Sequence, residues 1–249
     1  MIPVAELEAL RRRPEGRSSM RQEWRDLLFA HYPLPVADVQ ALLPPGLEVD
    51  SFPDADGIDQ AWVGVVPFAM QGIRPTNQPA VPWLSAFLET NVRTYVHRGG
   101  REPGVWFFSL DAARWLACAY ARARFRLPYH HAFMSMDRDG DSIRYTASRR
   151  GDRRVQLECT YQIGAELPLP EPGSFEFWLV ERYLLYAARG EELFTGRVFH
   201  EPYPLRSVDQ VVLATNLPEA AGLRQVPFVH HAFSPGVDVE VFGLERLRG

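Results

Sequence analysis

Residues 86–97 read AFLETNVRTYVH, and this stretch is the main evidence for the predicted fold. The side chains of a β-strand alternate between the two faces of a sheet, so the segment sorts into a polar face and a β-branched face. The polar face carries Glu89, Asn91, Arg93 and Tyr95, and the other face carries Thr90, Val92, Thr94 and Val96. Such a strand either exposes its polar face to solvent or lines a polar cavity. The apolar sequence on either side, such as GVWFF at residues 104–108, favours a central strand beside a cavity.

Most of the remaining chain also predicts strands, which are separated by turns rich in proline. These strands are expected at 24–31, 47–50, 59–68, 104–109, 121–127, 132–137, 142–149, 154–163, 193–200, 205–213 and 237–244. Helices are expected at residues 3–13, 36–43, 111–119, 174–181 and 217–222. Asp139-Gly140 is a hairpin turn signal, and Asp111 is placed as a helix N-cap. The pattern predicts an α+β, β-dominated fold, with an antiparallel barrel-like sheet, a central cavity and a few peripheral helices.

The composition limits the partners and the location of the protein. A formal net charge of −4 gives no electrostatic support for a nucleic-acid partner. No apolar stretch approaches the length of a membrane span, and the N-terminus lacks the apolar core of a signal peptide. We therefore expect a cytoplasmic protein with an N-terminal helical extension at residues 1–20 and a single domain at 21–249. An edge-rich β protein of this kind often forms a homodimer.

The chain contains no lysine, because all 27 residues counted as Lys+Arg are arginine. Codon bias is the simplest origin, but the chemical consequence stands in any case. Lysine is the side chain that forms Schiff bases with carbonyl substrates, so this chemistry is closed to the side chains of the protein. Arginine stays charged and binds carboxylates through a planar fork of donors.

The polar face of residues 86–97 supplies the candidate catalytic residues. Glu89 and Arg93 either form an internal ion pair or place a proton-transfer acid next to an anion-binding group. Ser109 lies where a predicted strand runs into a predicted helix, and an anion can be received at such a place. The alternative is that Asp111 caps the helix and Ser109 is a turn residue. The histidines lack the spacing of a zinc site, so we expect no metal and no cofactor.

An ordered set of motifs resembles a known family over about residues 22–240. The motifs are PPGLEVD, AWVGVVPFAM, FLETNVRTYV, GVWFFSLDA, LPYHHAFM, FWLVERYLLY, GRVFHEPYPL and AAGL. They resemble the YqjF-like family of uncharacterised proteins, which is grouped with the acetoacetate-decarboxylase-like superfamily. The resemblance implies a barrel-like antiparallel sheet with a central cavity that holds a glutamate and an arginine. Glu89 and Arg93 match these two by type and order.

The same resemblance places the lysine nucleophile of acetoacetate decarboxylase near residues 108–114, where this chain has no lysine. If the protein is an enzyme, we therefore expect lyase- or isomerase-like acid/base chemistry without a Schiff base. The leading hypothesis is a cavity that binds a small carboxylate-type ligand, with Arg93 on the carboxylate and Glu89 as the acid/base. The ligand would be oriented by Asn91, Tyr95, Ser109 and Tyr129.

Two other classes of function remain open from the sequence. One is a non-catalytic ligand-sensing or structural module, in which Trp62, Phe68, Tyr129 and Tyr183 would fill the barrel. The other is a metal- or serine-dependent hydrolase that would use His31, His200 or His231. No GxSxG nucleophile elbow supports the serine version of this class.

Overall fold

The computed structural model describes residues 2–80, 85–115 and 127–247. Thirteen strands are found there. They are β1 (Met20–Pro35), β2 (Glu48–Val49), β3 (Phe52–Pro53), β4 (Asp59–Pro75), β5 (Phe87–Arg98), β6 (Arg101–Ala112), β7 (Tyr129–Asp139), β8 (Ser142–Arg149), β9 (Gln156–Glu166), β10 (Leu184–Arg189), β11 (Glu192–His200), β12 (Arg206–Thr215) and β13 (His230–Arg246). The helices are short: α1 (Val4–Leu10), α2 (Val36–Gln40), α3 (Phe175–Val180) and α4 (Leu217–Ala220). None of the described helices is long and apolar enough to cross a membrane.

The sheet closes on itself through a wall of five long strands. In pairing order the wall runs β13, β1, β4, β5 and β6, and every pairing within it is antiparallel. β10 and β11 connect β6 back to β13 and close a small ring. β7, β8, β9 and β12 connect the same two strands by another route and close a large ring. This ring-like, β-dominated sheet with few helices confirms the predicted fold class.

Each face of the wall carries its own hydrophobic core. On β1, Leu27 and Phe29 belong to the core of the small ring, whereas Leu28 belongs to that of the large ring. On β4, Val66 belongs to the core of the small ring and Val65 to that of the large ring. The alternation of side chains along a strand therefore sends neighbouring residues into two different interiors. Both faces of the central strands are buried, so a polar side chain on the small-ring face must find a polar partner or a cavity.

The structure corrects two features of the predicted sheet. β10 is absent from the prediction because its sequence, LLYAAR, shows no alternation of polar and apolar residues. The sheet is also not wholly antiparallel, since β6 pairs in parallel with both β7 and β10. The hairpin turn predicted at Asp139-Gly140 is present between β7 and β8, with Gly140 at a φ of 60°. Residues 121–126, most of a further predicted strand, lie outside the described residues.

The helix predicted at residues 111–119 is wrong at its start. Asp111 is not an N-cap but the penultimate residue of β6, and residues 116–119 lie outside the described part of the chain. The Asp111 carboxylate is almost fully buried and accepts two hydrogen bonds from Arg149, at 2.7 Å from Nε and 3.0 Å from Nη2. A buried carboxylate requires such a partner, and Arg149 comes from the end of β8. Long-range pairing thus overrides the local capping preference.

The N-terminal segment packs against the small ring. Leu7 of α1 is buried in the small-ring core, and the backbone amide of Ile2 donates to Asp50 at 3.2 Å. Arg11, which follows α1, lies 3.3 Å from the carboxylate of Glu181. These contacts fasten the segment to the end of α3. The domain boundary after residue 20 stays a prediction.

Candidate functional site

A cavity of about 120 Å³ lies inside the small ring. Its walls are mainly apolar and come mostly from β1, β4, β5, β6, β10, β11 and β13, with further residues from α3, the start of β7 and the connecting segments. The polar or charged side chains that line it are Gln22, Glu89, Asn91, Arg93, Tyr129, Arg182 and Tyr203. A larger, shallow depression of about 680 Å³ is lined by residues of β6 and β10, but Arg189 is the only charged residue among its described lining residues. The small-ring cavity therefore offers more chemistry.

β5 presents its polar face to this cavity, as the alternation of its residues predicts. Glu89, Asn91 and Arg93 all line it, while Thr90 faces the large ring and donates to the Tyr145 hydroxyl at 3.1 Å. A bulge between β5 and β6 falls just before Arg93 and sets Arg93 opposite Phe107, which also lines the cavity. The three polar residues thus form a row about 13 Å long at the backbone.

Glu89 is a buried carboxyl group with one described side-chain hydrogen bond. Its side chain is 3% exposed and accepts a hydrogen bond of 3.0 Å from the Tyr129 hydroxyl. Burial raises the pKa of Glu89 to about 8; the hydrogen bond from Tyr129 opposes this shift and the negative charge of Asp111 adds to it. Glu89 is therefore mostly protonated at neutral pH and can either donate or accept a proton near that pH.

Arg93 is a cation without a counterion in the described part of the chain. The ion pair with Glu89 that the sequence left open is not formed, and the Arg93 Nε has no hydrogen-bond partner among the described residues. The guanidinium lies over two aromatic rings, 5.6 Å from the ring centre of Phe29 and 5.7 Å from that of Tyr95. Cation–π contacts of this kind hold the group in place but leave its charge uncompensated.

Arg182 is a second arginine of the cavity that the sequence reasoning missed. Its Nε donates to the carbonyl oxygen of Trp178 at 2.7 Å, and its Nη1 donates to the buried Asp50 carboxylate at 2.7 Å. Its Nη2 is buried and has no partner among the described residues. Ser174 starts the preceding helix α3 by accepting a hydrogen bond from the Phe177 amide, which sets the position of the arginine at the far end. The adjacent acid and arginine within the apolar run FWLVERYLLY are the sequence signal that could have found it.

Two of the predicted ligand-binding residues do not line the cavity. Tyr95 lies on the correct face of β5, but its ring packs 4.6 Å from that of Trp178, and its hydroxyl is 2.7 Å from His31 Nε2. Ser109 pairs with Val92 across β5 and β6, and Val92 belongs to the core of the large ring. Residues opposite each other in an antiparallel pair share a face, so Ser109 points away from the cavity. Asn91 and Tyr129, the other two predicted ligand-binding residues, do line it.

The histidines named for a hydrolase lie outside the cavity lining as described. His31 is fully buried, with its Nδ1 3.1 Å from the Nδ1 of His230. Burial, the nearby histidines and Arg93 lower the pKa of His31 well below its usual value. Burial also lowers the pKa of His200 to about 4. Within the described ranges, no three His, Cys, Asp or Glu side chains gather into a metal-binding group.

Comparison with known proteins identifies relatives and a shared fold. The model of the DUF2071 family, described as an uncharacterized conserved protein, matches residues 21–238. The uncharacterized protein YqjF of Bacillus subtilis (strain 168) is 36% identical over 222 residues, which cover 88% of this chain and 89% of YqjF.

Two solved structures illustrate the fold. Acetoacetate decarboxylase from Legionella pneumophila is similar with a TM-score of 0.67 at 13% identity, over 100% of this chain and 96% of that one. The enduracididine biosynthesis enzyme MppR complexed with pyruvate is similar with a TM-score of 0.65 at 16% identity, over 94% of this chain and 92% of that one. At these identities, the likeness establishes an acetoacetate decarboxylase-like fold and nothing about activity.

Proposed function

Because the chain belongs to the DUF2071 family and has an acetoacetate decarboxylase-like fold, we propose that its small-ring cavity binds a small organic acid and acts on it by acid/base chemistry. The observation that carries the proposal is the uncompensated charge of Arg93 at an otherwise mainly apolar cavity. Arg93 is partly buried and its buried Nε has no partner among the described residues, so a ligand carboxylate would supply the missing hydrogen bond and counter-charge. Arg182 Nη2, the second donor without a partner, supports the same ligand chemistry.

Glu89 is the acid/base of the proposed reaction. In its protonated form the carboxyl group gives a proton to the bound acid, and in its ionised form it takes one back. Tyr129 holds the carboxyl group through its hydroxyl, and Asn91 lies between the proton-transfer group and the arginine on the same strand. Because the chain has no lysine side chain, the proposed reaction proceeds without a Schiff base to such a group.

The binding step is tested by isothermal titration of wild type, Arg93→Gln and Arg144→Gln with pyruvate, the acid found in the MppR complex. We expect Arg93→Gln to weaken binding roughly 10- to 100-fold, because charge-assisted hydrogen bonds are lost. Arg144→Gln removes an arginine that is 61% exposed, on β8, and should bind pyruvate as wild type does. Equal affinities in all three proteins, or no binding to wild type, would overturn the proposal.

The proton-transfer step is tested by nuclear magnetic resonance in heavy water. We expect wild type to speed the exchange of the C3 protons of pyruvate for deuterium. The rate acceleration by Glu89→Gln should be at least tenfold smaller than that by wild type. Treatment with borohydride and pyruvate should give no adduct on any side chain. Exchange at the same rate in the presence of either protein would remove Glu89 from the proposed role while leaving the binding proposal standing.

A further inference from the structure

The charges around the cavity define how many anionic groups a ligand can carry. Arg182 is already paired with the Asp50 carboxylate through Nη1, so the net charge of this pair is zero. Asp111 and Arg149 form another closed pair, behind β5 on the large-ring face. Glu89 has its pKa raised to about 8 by burial and is mostly uncharged at pH 7. Among the described lining residues, the one positive charge left over belongs to Arg93, and it calls for a single negative charge on the ligand.

The rest of the lining defines the chemistry of the ligand beyond its carboxylate. Among the described lining residues, aliphatic, aromatic and methionine side chains outnumber the polar ones two to one and come from every strand of the small ring except β5. A second carboxylate on the ligand would find no second uncompensated cation among the described lining residues and would lose its hydrogen bonds to water. Several hydroxyl groups would also lose theirs, because besides Arg93 Nε the described lining offers only two buried polar side-chain atoms without a partner, Asn91 Oδ1 and Arg182 Nη2. An apolar chain would instead gain free energy for each methylene group that leaves water.

The volume of the cavity limits the length of that chain. A volume of about 120 Å³ leaves room for only a small molecule. This space accommodates a carboxylate and a chain of about two to four carbons. Val66, which is buried in the middle of β4, forms part of the wall that such a chain would meet.

We infer that the ligand is a monocarboxylic acid with a short apolar chain, rather than a dicarboxylic or polyhydroxylated acid. This inference deepens the proposed function and rests on it. It follows from the single uncompensated cation, the apolar lining and the small volume of the cavity.

The experiment measures dissociation constants for the series acetate, propionate, butyrate, valerate and hexanoate with wild type. We expect affinity to rise about fourfold with each added methylene group, until the cavity is full at propionate to valerate, and then to fall. Succinate has as many carbons as butyrate but a second carboxylate, and should bind at least tenfold more weakly. Threonate has the four carbons of butyrate and three hydroxyl groups, and should also bind more weakly than butyrate because most of these groups would lose their hydrogen bonds to water.

Two neighbouring valines of β4 provide a matched pair of variants. Val66→Ala enlarges the small-ring cavity, whereas Val65→Ala makes the same change on the large-ring face of the strand. Both valines are 1% exposed or less, so the two variants should lose similar stability. We expect Val66→Ala to move the preferred acid to a chain one or two carbons longer, and Val65→Ala to leave the preference unchanged.

The outcomes separate this inference from the proposal on which it rests. If neither pyruvate nor any acid of the series binds to wild type, both the proposed function and this inference are overturned. If the acids bind but affinity does not rise with chain length, or succinate equals butyrate, only the inference is overturned. The wild-type series decides this point even if neither valine variant folds. A shift of preference in Val65→Ala equal to that in Val66→Ala would also count against the cavity as the site.

Discussion

Replacing Glu89 by glutamine is expected to stabilise the protein at pH 8 by several kcal/mol relative to wild type, while the two proteins differ little near pH 4. The pKa of Glu89 is about 8 in the folded protein and close to its ordinary value of 4.5 in the unfolded chain. Between these two pH values the unfolded chain releases a proton that the folded protein keeps. The stability of wild type therefore falls as pH rises through this window, by up to about 1.4 kcal/mol per pH unit.

Glutamine preserves the shape of the protonated side chain and can still accept the hydrogen bond from Tyr129, so the variant lacks this pH dependence. The measurement is urea unfolding of both proteins at several values from pH 4 to pH 9. Glu158→Gln is the control, because this glutamate is 59% exposed and has little burial penalty to relieve. Parallel stability curves for wild type and Glu89→Gln would mean that Glu89 is already ionised in the folded protein, and would remove the basis for its acid role.

Replacing Asp111 by alanine is expected to destabilise the protein by about 3–5 kcal/mol. The variant leaves the Arg149 guanidinium, which is 10% exposed, without the carboxylate that accepts two of its hydrogen bonds. An uncompensated buried charge accounts for most of such a loss. The change in stability is measured by urea unfolding at constant pH. Because the pair joins β6 to β8 on the large-ring side of the sheet, the variant should still bind pyruvate at a temperature at which it is folded.

Two further variants distinguish a buried charge from general damage to the sheet. Glu158→Ala breaks an exposed pair with Arg144 on neighbouring strands of the large ring, and should cost no more than about 1 kcal/mol. Asp111→Ala combined with Arg149→Met removes both charges and should recover a large part of the lost stability. A double variant as unstable as Asp111→Ala would indicate that packing, rather than the unpaired charge, explains the loss.

The sequence predicts those parts of the fold in which local pattern and long-range structure agree. β5 is the clearest case, because its alternation places Glu89, Asn91 and Arg93 on one face whatever the neighbours are. Local sequence patterns do not predict the branching of the sheet at β6 and β13. The branching depends on which distant strands pair along the same edge of each of these two strands. For the same reason Asp111 reads as a helix cap, although a distant arginine makes it a buried strand residue.

Apart from Tyr129, the sequence predicts the candidate site along one strand, β5. Arg182 comes to the cavity from the end of α3, about ninety residues after Arg93, and no spacing rule connects the two. Ser109 was placed at the site by its distance from a predicted helix start, and the pairing of β5 with β6 sends it to the other ring instead. Burial also decides the chemistry of Glu89, since the pKa of a carboxyl group depends on surroundings that a single sequence does not display.

The double closure of the sheet bears on how copies of the protein can meet. Among the residues that the structure describes, each long strand has a neighbour on both sides for at least part of its length. The side of β12 towards β13 is paired only at Arg206, and the side of β7 towards β6 only at residues 129–131. Exposed strand edges are what allow a sheet to grow from one molecule into the next. Strand addition between copies is therefore disfavoured along the five-stranded wall. Among the described residues, the edges of β7 beyond residue 131 and of β12 beyond Arg206 are the places where it could still occur.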